Sequence, residues 1–469
     1  MQRAFSFLPI VLWLLSSLGM ADDRPNIILM LADDQGWSGL SVAMHPTFAG
    51  SKGDIFQTPN LERFASQGMR FSSAYAPASV CSPTRISLQT GKSPAALHWT
   101  KAAPAVQGQK FIEPQLIKNI AANEVTIGEI LRKAGYATAH YGKWHIAGGG
   151  PGNHGYDEHD GDTGNENAFQ FKDPNPVDIF GMAERAANFI ERSKKANKPF
   201  FIQLSWNALH ASENANEATK AKYANVTAGN NSKASSVAAI TEDLDTGVGK
   251  LLTSVQKLGL AQNTYVIYMS DNGSGGGKRT GLNGGKGSVW EGGVRVPFII
   301  RGPGIEANSW CDTPIVGYDL YPTFCAWAGI NPAALPPGLE GGSILPLLSN
   351  PKQGVVQRAR PELVFHFPHY QSDDGPHSAI RMGNLKLIYF YEKNSSSLFD
   401  LSKDIGERTD LAAKMPKETQ ELQQRLVQYL KDVDAQQPTP NQNFDPSQPT
   451  QARKGRGAQE KTNRGMKKK

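Results

Sequence analysis

Within five residues, the run Cys81-Ser82-Pro83-Thr84-Arg85 sets a thiol, a helix-starting proline and a guanidinium, and it continues as Ile86-Ser87-Leu88-Gln89-Thr90-Gly91-Lys92. Pro83 suits the first turn of a helix, Ser82 its cap and Gly91 its end. This predicts Cys81 just ahead of a helix N-terminus, where free amides and the macrodipole favour an anion. A cysteine in front of such a helix is ordinarily a buried thiol and nothing more, so its chemistry depends on what else converges on it.

Asp33, Asp34, Asp271 and Asn272 are hard oxygen donors on two separate loops. Crowded carboxylates repel one another unless a cation sits among them, and oxygen-only ligation favours Ca2+ or Mg2+ over zinc. Taken singly, Asp33-Asp34 and Ser270-Asp271-Asn272-Gly273 would be turns or caps. Lys143 and His145 follow a glycine in GYATAHYGKWH, and Lys286 lies in Asn283-Gly284-Gly285-Lys286-Gly287, ahead of Trp290-Glu291-Gly292-Gly293. Glycines let backbone approach a ligand closely, and lysine supplies a point charge. His210 follows an apolar run and is either a general acid or a capped surface histidine.

Each of these clusters ends an apolar run. Asn26–Leu31 leads into the first aspartates, 137–141 into Lys143 and His145, 200–204 into His210, and 264–269 into Asp271. Helical patterns at 60–67, 126–134, 182–194 and 236–258 separate them. Strands alternating with helices predict a large, mostly parallel sheet flanked by helices. Sites in such sheets form beyond the carboxyl ends of the strands, so four clusters at four strand ends predict one shared site. After about Pro361, short β-like runs at 363–367, 385–391 and 397–400 precede a helical pattern at 417–430, which suggests a smaller antiparallel sheet with a helix packed on it, a lid or substrate-side module.

The chain has 469 residues, 39% hydrophobic and 20% charged, a globular composition. Arg3, the apolar stretch 7–18 and the small residues Gly19 and Ala21 read as a signal peptide over residues 1–21, too short to span a bilayer; no other segment is a transmembrane candidate. The net charge of +6 arises from one end: residues 451–469 carry eight Lys or Arg and one Glu, leaving the first 450 residues at −1. The segment from about Ala435 to the end is poor in apolar residues and is expected to be a disordered basic tail, either solvated or in contact with anionic glycan or envelope polymers. No aromatic platform or fold-level motif accompanies it, which argues against nucleic acid. If Cys81 is modified, Cys311 and Cys325 remain, as a disulfide or as two buried thiols.

Together these motifs resemble the formylglycine sulfatases of the alkaline phosphatase superfamily, from about Pro25 to Leu411: CSPTRISLQTG, GYATAHYGKWH, SDNG, GGKGSVWEGGVRVP and LFDLSKDIGERTDLA. The resemblance implies an alkaline phosphatase-like catalytic domain over 22–360 and a C-terminal α+β subdomain over 361–434, before the tail at 435–469. It implies that a formylglycine-generating enzyme oxidises Cys81 to formylglycine (3-oxoalanine). Asp33, Asp34, Asp271, Asn272 and the modified residue 81 would bind Ca2+. One hydroxyl of the hydrated aldehyde attacks sulfur, and the second, deprotonated by His145, later expels sulfate. Arg85, Lys143 and Lys286 would carry charge on the sulfate oxygens, and His210 with Lys286 would serve the leaving oxygen. Some members carry a further hydroxyl residue after the Lys-x-His motif, where this chain has Ile146-Ala147-Gly148-Gly149-Gly150.

By the same resemblance, the protein is a secreted or periplasmic enzyme acting on a sulfated carbohydrate. His98, Trp99, His366, His369, Tyr370 and His377 either line a sugar pocket or pack loops. The segment FHFPHYQSDDGPHSAIRMGNLKLI is similar to that of bacterial polysaccharide sulfatases. A phosphonate or phosphodiester hydrolase of the same superfamily would need similar ligands, and a non-catalytic glycan-binding relative would have lost some; every expected core polar position is filled here.

Overall fold

The computed structural model describes residues 24–103, 105–210, 214–227, 233–274 and 281–447. The expected signal peptide and residues 448–469 of the expected tail lie outside the described residues. At the centre runs strand Asn26–Ala32, buried at every position. Parallel neighbours Phe200–Ser205 and Thr264–Ser270 flank it, and Ala137–Gly142 continues the parallel order beyond Phe200–Ser205. Strand Phe298–Arg301 runs antiparallel beside Thr264–Ser270, and short edge strands complete an eight-stranded sheet. The strands read as nearly unbroken apolar runs because both sheet faces are covered. Side chains alternate across the sheet. Ile28 and Met30 meet Leu61, Phe64, Ile190 and Leu244 on one side, while Ile27, Leu29 and Leu31 meet Ile86, Leu131, Leu320 and Phe324 on the other.

The register explains where the polar clusters fall. Leu31 lies opposite Ser205, Ala32 opposite Ser270, and Gly142 opposite Ser205. The four strands therefore end level, and the residues after them emerge at one edge. The helices on the two faces observe ordinary termination chemistry. Helix Ile127–Lys133 opens with a capping box between Thr126 and Glu129, and helix Cys81–Thr90 closes on Gly91 at φ 69°.

The second sheet contains four antiparallel strands in sequence order, Leu363–Phe367, His377–Met382, Leu385–Phe390 and Ser395–Asp400. Val364, Ile380, Leu387 and Leu398 take the apolar stripe of helix Pro416–Asp432, namely Leu422, Leu426, Tyr429 and Leu430. The opposite face, with Phe365, Ala379, Ile388 and Phe399, packs on Tyr75, Val294 and Val316 of the main body. Strand His377–Met382 has no counterpart in the sequence reading, because His377, Ser378 and Arg381 interrupt its apolar residues although all three are buried.

Two other details depart from the sequence reading, and one open alternative is decided. Helix Cys81–Thr90 begins at the cysteine itself, after an extended Val80, and Ser82 does not cap it. The chain also keeps a defined path beyond Ala435: Thr439–Pro440 pairs with Phe111–Ile112, and Asn441 bonds Gln109 and Lys110. Cys311 and Cys325 are free, buried thiols, and burial pushes Cys325 up to about 12. Among the described residues, no helix is long and apolar enough to cross a membrane.

A buried ionic network joins the second sheet to the first. Lys386 Nζ lies 2.8 Å from both Glu291 Oε1 and Glu407 Oε1. Arg295 Nε donates to Glu291 Oε2 at 2.6 Å, and Arg295 and Arg381 both donate to the Tyr75 hydroxyl. Burial together with Glu291 pushes Glu407 up to about 7 despite Lys386. Removing one partner of such a network leaves an uncompensated buried charge. Lys386→Met is therefore expected to lower stability by about 3 kcal/mol, read as a lower urea midpoint with an unchanged denaturant slope. An unchanged midpoint would show that the network does not hold the sheets together.

Candidate active site

Asp33 and Asp34 emerge from the central strand, Asp271 and Asn272 from its neighbour, and Lys143 from the strand two places away. Asp33 Oδ2 accepts from Lys143 Nζ at 2.6 Å with both side chains fully buried. Asp271 Oδ2 accepts from Arg85 Nε at 3.0 Å and Nη2 at 2.7 Å, and Arg85 Nη1 donates to the Lys143 carbonyl at 2.5 Å. Asp34 Oδ1 accepts from Asn272 Nδ2 at 2.8 Å and from Lys286 Nζ. One ligand atom each from Asp33, Cys81 and Asp271 falls within 4.8 Å of the others.

Two oxygens of this cluster, Asp33 Oδ1 and Asn272 Oδ1, are buried without a hydrogen-bond partner among the described residues. Buried polar atoms are otherwise almost always satisfied. Orphaned hard oxygens beside Asp271 and residue 81 match the donor set of Ca2+ or Mg2+, so the residues fit the metal that the sequence suggested. Electrostatics agree. Burial acts to raise Asp33, but Lys143, His210, Arg85 and Lys286 hold it well below the usual carboxylate range. Burial and the Asp33 charge push Asp271 up to about 8. A cation among them removes that conflict. The three carboxylates Asp33, Asp34 and Asp271 are balanced by Arg85, Lys143 and Lys286. A bound divalent cation would therefore leave a surplus of positive charge, suited to an anionic substrate.

Cys81 occupies the first turn of its helix, and its Sγ lies 3.4 Å from His145 Nδ1. Burial, then Lys143 and Arg85, lower His145 to about 3, so its imidazole is neutral at neutral pH. His145 adopts φ 61°, a conformation that needs support from its surroundings. Ser82 Oγ donates to the His145 carbonyl at 2.7 Å, and the His145 amide donates to the Thr163 carbonyl at 2.8 Å. Sequence reasoning missed both roles. Ser82 was read as a cap, and Thr163 sits in an irregular segment with no periodic or motif signal. His210 is lowered by burial, with Asp33 acting against that, and its Nδ1 is buried without a partner among the described residues. Burial opposes the charge on Lys286, yet the Asp34 carboxylate beside it keeps it firmly protonated.

The residues read as lining a sugar pocket or packing loops have partners within the chain. Trp99 is buried in the core with Ile86 and Leu88. His98 Nε2 pairs with the Asp434 carbonyl at 2.7 Å. His366 uses Nδ1 on Ser378 Oγ at 2.7 Å and Nε2 on the Gln436 carbonyl at 2.8 Å. His369 uses Nδ1 on Glu113 at 2.7 Å and Nε2 on Thr100 at 2.6 Å. These groups bind the 98–113 segment, the second sheet and the 434–441 segment to one another, and the two buried histidines have no ring nitrogen left for a ligand. Of the two readings left open for them, pocket lining or loop packing, these contacts fit packing.

Comparison with known proteins places the chain. The sulfatase family model matches residues 25–330, and that of the C-terminal region of N-sulphoglucosamine sulphohydrolase matches 285–436. The chain is 29% identical to arylsulfatase A of Homo sapiens over 90% of each chain. It is 30% identical to N-acetylgalactosamine-6-sulfatase of Rattus norvegicus, over 69% of this chain and 66% of that one. The crystal structure of Ps i-CgsB in complex with k-i-k-neocarrahexaose superposes with a TM-score of 0.72 at 24% identity, covering 87% of this chain and 93% of the other. The chain belongs to the sulfatase family and is a sulfuric ester hydrolase with the family's fold.

Proposed function

We propose that the enzyme removes sulfate from a sulfated carbohydrate, using formylglycine at position 81 and a Ca2+ ion held by Asp33, Asp34, Asp271 and Asn272. The observation that carries this reading is the seating of Cys81 at a helix N-terminus, within 4.8 Å of Asp33 and Asp271 ligand atoms, in a cluster where Asp33 Oδ1 and Asn272 Oδ1 are buried without a partner among the described residues. Formylglycine, made from Cys81 by a maturation enzyme, supplies a hydrated aldehyde with one hydroxyl to attack sulfur and a second to expel sulfate, which a serine lacks. Ca2+ supplies a fixed positive charge that eases loss of a proton nearby and offsets charge on the sulfate.

The chain's own residues account for the remainder. Arg85 is fixed by Asp271 and the Lys143 carbonyl and cannot swing away. It, Lys143 and Lys286 form a preorganised cationic wall that meets charge developing on the sulfate oxygens. His145 is neutral and next to residue 81, so it can take a proton there. His210, with Lys286, serves the leaving sugar oxygen. A carbohydrate is favoured because a relative is an N-acetylgalactosamine-6-sulfatase and a structural neighbour binds a neocarrahexaose. The leader-like residues 1–21 would place the activity outside the cytoplasm.

Two measurements test this reading. Protein co-expressed with a formylglycine-generating enzyme is expected to release sulfate from a member of a panel of sulfated galactose, N-acetylgalactosamine, glucosamine and algal oligosaccharides. Cys81→Ala is expected to be silent, and Cys81→Ser to show no multiple turnover. Normal turnover by Cys81→Ser would refute the mechanism, and release from a phosphonate ester alone would reassign the substrate class. For the metal, chelator-treated protein is expected to gain thermal stability on adding Ca2+, by about 2.7 kcal/mol at a hundredfold excess over Kd. Asn272→Ala should require at least about tenfold more Ca2+ for the same gain, as loss of one ligand oxygen implies. A melting curve indifferent to Ca2+ would remove the metal from the site.

A further inference from the structure

Lys286 stands on a loop that the main body holds on one side. Its amide donates to the Ser274 carbonyl at 3.0 Å, and the Gly287 amide to the Ser79 carbonyl at 2.8 Å. The other side is held by the second sheet. The Val289 amide donates to His377 Nε2 at 3.0 Å, and Trp290 Nε1 donates to Asp374 Oδ2 at 2.9 Å. His377 Nδ1 lies 2.7 Å from the Gly375 carbonyl. A carbonyl only accepts, so Nδ1 carries the proton and Nε2 presents a bare lone pair to the loop.

The ring is fixed on all sides. His377 is fully buried, nearly parallel to Phe390 at 6.2 Å and edge-on to Phe367 at 6.0 Å. Burial lowers its proton affinity and preserves the neutral, accepting form. Val289 is 1% exposed, so water cannot replace the histidine as a partner for its amide. The loop is closely packed within itself and against the second sheet: a Cβ on Gly293 would lie 1.9 Å from the Ser288 carbonyl and one on Gly287 2.7 Å from the Gln371 side chain.

We infer that His377 is a positioning residue for catalysis: by accepting the Val289 amide from the second sheet, it sets the height of the loop that aims Lys286 at the site. This rests on the role proposed above for Lys286. The second sheet then contributes to turnover through a buried imidazole, without touching the substrate.

The test compares His377→Phe, His377→Gln, Lys286→Ala and the double variant His377→Phe/Lys286→Ala. Each is matched for formylglycine content by mass spectrometry and assayed for sulfate release from the sugar the wild type turns over best. Phenylalanine keeps the ring packing but offers no acceptor; kcat is expected to fall about 10- to 100-fold, as a displacement near 1 Å would produce, with KM changed far less. Glutamine can reach the Val289 amide and is expected to recover most of the rate. The double variant should be no slower than Lys286→Ala, since the histidine acts only through the lysine. Wild-type kcat in His377→Phe beside a defective Lys286→Ala, or losses that multiply in the double variant, would overturn the positioning role alone. An unaffected Lys286→Ala would overturn the reading of Lys286 and this inference with it. Should His377→Phe fail to fold, His377→Asn takes its place with the same expectations, as it keeps the Gly375 contact but is too short for Val289.

Discussion

Everything in this molecule is arranged around the cost of burying charge at the ends of four strands. Asp33 and Lys143 form an ion pair with no solvent exposure, and Arg85 and Asp271 form another. Taking such groups out of water costs several kcal/mol per ion even after relaxation. The cost is met only where geometry is tight and every remaining donor has a partner. Arg85 shows how completely this is done: its guanidinium spans Asp271 and the Lys143 carbonyl, so the helix bearing Cys81, the central strand's neighbour and the Lys143 turn are tied by one side chain. What remains unpaired is informative for the same reason. Among the described residues Asp33 Oδ1 and Asn272 Oδ1 have no partner, which suits a cluster that a further positive group would complete.

Close packing of backbone keeps these charges in place. A Cβ on Gly273 would lie 1.9 Å from the Gly292 carbonyl, so the turn carrying Asp271 and Asn272 is pressed directly against the chain that follows Lys286. The Gly273 amide bonds the Gly293 carbonyl across that contact. Gly273 cannot carry a side chain without driving the Asp271–Asn272 turn and the lysine loop apart. The level strand ends supply the rest, since a one-residue slip in any register would move a carboxylate by more than 3 Å, beyond the reach of its cation.

The parallel core and the main site residues were legible in the sequence because each strand is an apolar run that stops abruptly at a polar cluster. Asn26–Ala32 and Thr264–Ser270 show this directly, and strand-end logic alone gathers Asp33, Lys143, His210 and Asp271. What escaped the sequence reading depends on pairings between distant residues. Ser82 has the right type for a cap, but it spends its hydroxyl on the His145 carbonyl, 63 positions away. His377–Met382 carries buried polar side chains whose partners, Val289, Tyr75 and Tyr391, come from elsewhere in the chain. Histidines 366 and 369 suggested a ligand pocket because their residue type fits one. The partners that satisfy them, Gln436 and Glu113, lie 70 and 256 positions away.

This difference bears on how the second sheet should be understood. A lid would meet the main body across a surface that can open, with polar groups able to return to water. Here one face of the sheet is apolar and packed on Tyr75, Val294 and Val316. Between the bodies lie Lys386, Glu291, Glu407 and Arg295, all buried. Separating them would strand charges on both sides at once. The segment from Lys286 to Arg295 therefore belongs to the site at one end and to the inter-sheet network at the other. Glu291 is only five residues from Lys286, so the same stretch of chain ties the Lys286 loop to the network. The second sheet acts as the fixed wall against which that loop is set.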